Sequence, residues 1–140
     1  MTFLLLLALG YPDQPAKIYK AQEILLESPE LVVLEYSQIC KFVERVYSSS
    51  FIRTNFPKIK RPLIKRSEFP NVAYCSGNTL AFPPKACNHH VLHEIAHHLS
   101  QGHEHDELFA RRFLRLVAVF MGERSAKMLR QSYTRNGVIF

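Results

Sequence analysis

At 140 residues, 47% of them hydrophobic, the chain is long enough to build one core and too apolar for a disordered segment. A formal charge of +6 fits a nucleic-acid partner, an acidic surface or plain solubility, and excludes none of these. Cys40, Cys75 and Cys87 form no CxxC pair and leave one over, which argues against a disulfide framework and for a reducing, cytoplasmic compartment with each cysteine a small buried hydrophobe.

The opening run Thr2 to Leu9 is too short for a bilayer, which needs about 20 residues, so no membrane anchor is expected. It lacks the basic start of a secretory signal, and a buried strand or helix start is the preferred reading. Asp13-Gln14-Pro15 then opens a helix whose Ile18, Ala21 and Leu25 recur at helical spacing until Ser28-Pro29. A second helix, capped by Ser37, carries the stripe Ile39, Phe42, Val43, Val46 and ends at Ser48-Ser49-Ser50. Between residues 51 and 84, prolines separate β-prone pieces at Phe51-Ile52, Leu63-Ile64, Val72-Ala73-Tyr74 and Leu80-Ala81-Phe82. These predict a short antiparallel sheet with a hairpin turn at Ser76-Gly77-Asn78 and an end at Pro83-Pro84. Three helices follow: Asn88 to about Gln101, Asp106 to Met121 and Glu123 to Arg135, with Gly102, Gly122 and Gly137 at their C-terminal caps. Phe109, Phe113, Val117 and Phe120 stripe the middle one. The fold class is α+β, in one domain spanning 1–140.

All seven histidines lie between His89 and His105, and imidazole is the commonest metal-ligating side chain. Within that window His93-Glu94-Ile95-Ala96-His97 is an HExxH motif, which sets two imidazoles one turn apart with a carboxylate beside them. At about 100° per residue, His97 falls near 40° and Glu94 near 100° from His93. Val91, Leu92, Ile95, Ala96 and Leu99 fill the opposite arc, so the helix can bury its back and present its front.

A catalytic zinc takes three protein ligands and leaves one position open. The third ligand is expected to be His105, which a turn at Gly102 can bring back at the start of the next helix. His103, at the six-residue spacing of metzincins but without their glycine, is the alternative, and a distant carboxylate comes third. His89 and His90, one turn upstream, can line the same cleft or be solvated; His98 points partly away, as a residue behind the ligands or on the surface. Asp106 can orient a ligating imidazole, with complementing the helix dipole slightly preferred.

These residues resemble a group of short zinc metallohydrolases known mostly from actinobacteria, within the zincin class. Asp13 to Ala21 is similar to that family's opening segment, Leu80-Ala81-Phe82-Pro83 to its strand before the active helix, Val91 to Leu99 to its core motif, and Phe120 to Arg130 to its closing helix. His105-Asp106-Glu107-Leu108-Phe109 stands where that family, and more distantly SprT-like proteases, have His-Gly-x-x-aromatic, with Asp106 departing from the glycine. The resemblance implies a zincin-like fold, His93, His97 and His105 as ligands, and Glu94 as the base.

The expected activity is zinc-dependent hydrolysis of an amide bond in a peptide or protein, with Glu94 taking a proton from water at the metal. Leu80, Ala81 and Phe82 are the substrate-side candidates, as an edge strand that a peptide can extend. Tyr74 is considered as an oxyanion helper. Two rivals stand beside this reading. Segment 53–66, with Arg53, Lys58, Lys60, Arg61, Lys65 and Arg66 near Phe51, Phe56 and Phe69, suggests a nucleic-acid contact. A catalytically silent zinc module would instead have no use for a base beside its ligands.

Overall fold

A computed structural model describes residues 13–140. The run Thr2 to Leu9 lies outside the described residues. The first helix, α1 (Gln14–Gln22), has Pro15 in its first turn, where a missing N–H costs nothing, and tightens into a 3-10 turn at Glu23–Glu27. Ile18, Ala21 and Leu25 are fully buried, as their spacing predicts.

Strand β1 (Val33–Glu35) leads directly into α2 (Tyr36–Tyr47). The cap of α2 is Glu35, not Ser37. Its side chain accepts from the backbone of Gln38, while the Gln38 side chain accepts from the Glu35 N–H at 2.9 Å, a reciprocal capping box. The stripe Ile39, Phe42, Val43 and Val46 is buried. Ser49 then caps a further short helix, α3 (Ser50–Asn55), by accepting from the Ile52 N–H at 3.3 Å. Phe51-Ile52 is therefore helical and not strand: the serine cap outweighs the β-propensity of two residues.

Strands β2 (Leu63–Arg66), β3 (Tyr74–Ser76) and β4 (Thr79–Phe82) form a sheet in the order β2-β4-β3. The β3–β4 hairpin turns where expected, with Gly77 at φ 56°. The sheet is mixed and not antiparallel, because β2 runs parallel to β4, Leu63 facing Thr79 and Arg66 facing Phe82. Strand β5 (Lys85–Cys87) pairs antiparallel with β1 in a second sheet, so Pro83-Pro84 separates strands of two sheets. Three-residue strands carry too little alternation to be read from sequence.

Helices α4 (Asn88–Leu99), α5 (Glu107–Phe120) and α6 (Glu123–Arg135) close the chain as expected. At the α5–α6 junction, Gly122 has φ 134°, and a Cβ there would sit 2.0 Å from a Glu30 carboxylate oxygen. That carboxylate accepts from the Ser125 N–H at 3.0 Å and so satisfies the start of α6.

The described residues are thus mixed α+β, with six α-helices and two small sheets. The core joins Leu80 and Phe82 of β4 to Val91, Leu92, Ile95 and Ala96 on the back of α4 and to Phe113, Leu116, Leu129 and Tyr133 from the last two helices. Cys40, Cys75 and Cys87 are free and half-buried, not fully buried as expected. Among the described residues no helix is long and apolar enough to cross a membrane.

Candidate metal centre

Helix α4 is anchored at its start by Asn88. Its side chain accepts from the Val32 N–H at 3.2 Å and donates to the Glu30 carbonyl at 3.0 Å, tying the helix to the loop before β1. With the apolar back of α4 in the core, His93, Glu94 and His97 are left on one side, as the 3.6-residue period requires.

His105 reaches the same place through a tight return of the chain. Gly102 takes φ 86°, and His105 itself has φ 50°, a left-handed conformation unusual for a side-chain-bearing residue. Such a residue costs on the order of 1–3 kcal/mol and persists where its surroundings over-determine it. Asp106 does so here: one oxygen caps α5 by accepting from the Phe109 N–H at 3.0 Å, and the other lies 2.6 Å from His103 Nδ1. Asp106 is extended at φ -85°, so this turn has no need of the glycine found in the resembled families.

The result is a convergence of three Nε2 atoms. His105 Nε2 stands 3.2 Å from His93 Nε2 and 3.1 Å from His97 Nε2, and all three ligand atoms lie within 4.8 Å of one another. Three nitrogens around one tetrahedral ion at ~2.0–2.1 Å stand about 3.3 Å apart, so the spacing fits a shared cation. Burial pushes all three imidazoles toward the neutral form: His93 well below its usual range, His97 to about 4 and His105 to about 3, the neighbouring histidines adding to the effect at His93 and His105. Neutral imidazoles offer the lone pairs that a metal needs.

The tautomer of His93 follows from its partner. His93 Nδ1 lies 2.7 Å from Gln22 Oε1, an oxygen that can only accept, so the ring proton sits on Nδ1 and the lone pair of Nε2 faces His97 and His105. Phe109, fully buried, floors the cluster with ring centroids 4.9, 4.5 and 4.8 Å from those of His93, His97 and His105. His93, His97 and His105 can therefore hold a metal ion.

Gln22 was not picked out by sequence reasoning, although a signal for it existed. It lies four residues after Ile18 and three before Leu25, on the buried stripe of α1, and a polar residue in such a place needs a buried partner. Tyr19, from the same helix, stacks on His93 at 5.4 Å and leans on His105 at 5.0 Å, though half its surface stays exposed. No spacing rule points to it.

Glu94 opens with Tyr19, Gln22, His90 and His93 into a cleft of about 280 Å³. Burial pushes its carboxyl up to about 8. A larger groove of about 600 Å³, lined by Glu30, Phe42, Arg45 and Met121 among others, includes neither Glu94 nor any of the three clustered histidines.

The remaining candidates fall elsewhere. His103 is exposed, held by Asp106 and outside the cluster. His98 is buried and not on the surface, its Nδ1 2.5 Å from the Tyr47 hydroxyl and its Nε2 2.8 Å from Asn78 Oδ1. His90 lines the cleft; His89 is buried and does not. Tyr74 bonds to Glu68 and does not line the cleft. Leu80, Ala81 and Phe82 are fully buried on β4, the central strand, whose two edges are occupied by β2 and β3. They offer no free edge, contrary to expectation. Residues 71–73, entering β3, border the cleft instead.

Comparison with protein-family models, curated proteins and solved structures found no match to this chain.

The six basic residues of segment 53–66 are exposed, but several are engaged: Arg53 and Arg61 with Ser48, Lys65 with Glu68, and Arg66 over the Tyr36 ring. Phe51 and Phe56 pack on the core under Arg115 and Arg112, which leaves only Phe69 of the three aromatics exposed as a platform for a base.

Two expected results follow from these contacts. Gln22→Ala frees the Nδ1 proton of His93 and should lower zinc affinity by about 10–100-fold, read by competition with a chromophoric chelator. Phe109→Ala should destabilise the metal-free chain by about 3–5 kcal/mol in urea unfolding, since it empties the floor beneath three rings.

Proposed function

We propose that this chain is a zincin-like, zinc-dependent hydrolase of amide bonds in peptides or proteins, with His93, His97 and His105 as ligands and Glu94 as general base. The observation that carries this reading is the half-buried Glu94 carboxyl, next in sequence to His93 and lining the same cleft. A site that only stapled helices together would gain nothing from a desolvated acid beside its ligands.

When bound, zinc supplies a Lewis acid that polarises a carbonyl and lowers the pKa of water toward about 7. Glu94 accepts the proton of the attacking water at a carboxylate oxygen and delivers it to the departing amine. Burial raises its carboxyl, while a nearby dication would act in the opposite direction and favour the carboxylate that takes the proton. Gln22 keeps the His93 lone pair aimed at the cluster, and Tyr19 covers the outer faces of His93 and His105. The test is cleavage of a peptide library by the zinc-loaded chain beside Glu94→Gln. Equal cleavage by both, or by neither, speaks against the proposal.

A further inference from the structure

The cleft beside Glu94 has an uneven charge inventory. Its single acid is Glu94, next in sequence to His93, and its single permanently charged cation is Lys85, an exposed residue at the start of β5. Val72, Ala73, Pro83 and Ala86 add an apolar contribution to the same lining. Lys85 also lacks the partner that its position would supply. The residue opposite it on β1 is Glu35, yet among the described residues no ion pair involves Lys85.

We propose that this cleft takes a short peptide substrate bearing a carboxylate, with the carboxylate on Lys85 and the scissile amide beside His93 and Glu94. The inference rests on the hydrolase reading of the same cleft and adds the substrate class. About 280 Å³ is at the small end for ligand clefts and suits one or two residues, not a folded loop. The apolar lining accommodates the stem of such a residue, and a net charge of +6 favours encounter with an anion.

The experiment uses zinc-loaded Glu94→Gln, so that no turnover intervenes, and acetylated tripeptide amides of alanine carrying one Glu or one Gln at each position in turn. Dissociation constants are read by NMR titration. At one position the Glu peptide should bind about two- to fivefold more tightly than its Gln isostere, the size expected of a partly solvated charge pair. Lys85→Gln should abolish that preference, and Lys85→Glu should reverse it. No Glu peptide binding at millimolar concentration, no difference between Glu and Gln at any position, or a difference that survives Lys85→Gln would overturn the proposal. Failure of the hydrolase reading looks different: wild type cleaves nothing while the Lys85-dependent preference persists. Cleavage without any charge preference would instead sink the substrate class alone.

Discussion

Glu94→Gln is expected to keep one zinc per chain while lowering peptide cleavage by about 10²–10⁴-fold, the usual contribution of a positioned general base. The substitution keeps the shape of the side chain and removes only its ability to take a proton. The metal should stay because the three clustered imidazoles that could hold it are untouched, and Glu94 is not part of that cluster. The amide can occupy the same half-buried place with less desolvation cost than a carboxylate, so the variant should fold at least as well as wild type. The measurement is kcat/KM together with metal content on the same samples. Loss of both together would mean that Glu94 supports the metal and not the proton transfer, and full retention of activity would remove it from the mechanism.

His105→Ala should have the largest effect on the metal itself, lowering zinc affinity by well over the roughly 100-fold that partners behind the ligands command, and abolishing cleavage. His105 is the only one of the three donors that does not come from α4, and it contacts both others at 3.1–3.2 Å. Without it, two imidazoles one turn apart remain, one donor short of the three that a catalytic zinc takes. The same change does not relieve the left-handed backbone, because alanine still carries a Cβ. His103→Ala is the control. His103 lies outside the cluster, so its loss should leave affinity within a few-fold of wild type, and zinc binding would be read by chelator competition in parallel. Comparable loss in both variants would mean that the turn as a whole, and not the His105 nitrogen, holds the ion.

Much of the centre was legible because it is local. One helical period places His93, Glu94 and His97 on the side facing away from Val91, Leu92, Ile95 and Ala96, and all four of those apolar residues are fully buried. His105 could be read as well, since a glycine break followed by a cap residue sends the chain back on itself. What escaped depends on distant pairing. Gln22 meets His93 across 71 residues, and no local pattern encodes that meeting. The order β2-β4-β3 arises because the chain crosses to the far edge before returning through the centre, so β2 pairs with β4 although β3 lies between them in sequence. For that reason Leu80 to Phe82, correctly read as a strand, was wrongly read as an edge. Of the two histidines one turn upstream that could line the cleft, only His90 does and His89 is buried, while His98, read as pointing partly away, does so and bonds to Tyr47 of α2 and Asn78 of the hairpin.

The central claim is most directly tested by zinc K-edge X-ray absorption on the chain loaded with one equivalent of zinc, with His105→Ala alongside. The account predicts a tightly held ion with three imidazole nitrogens at about 2.0–2.1 Å in the wild type, and loss of one of those nitrogens or of the ion in the variant. An ion that cannot be loaded, or a first shell identical in the two proteins, would contradict it.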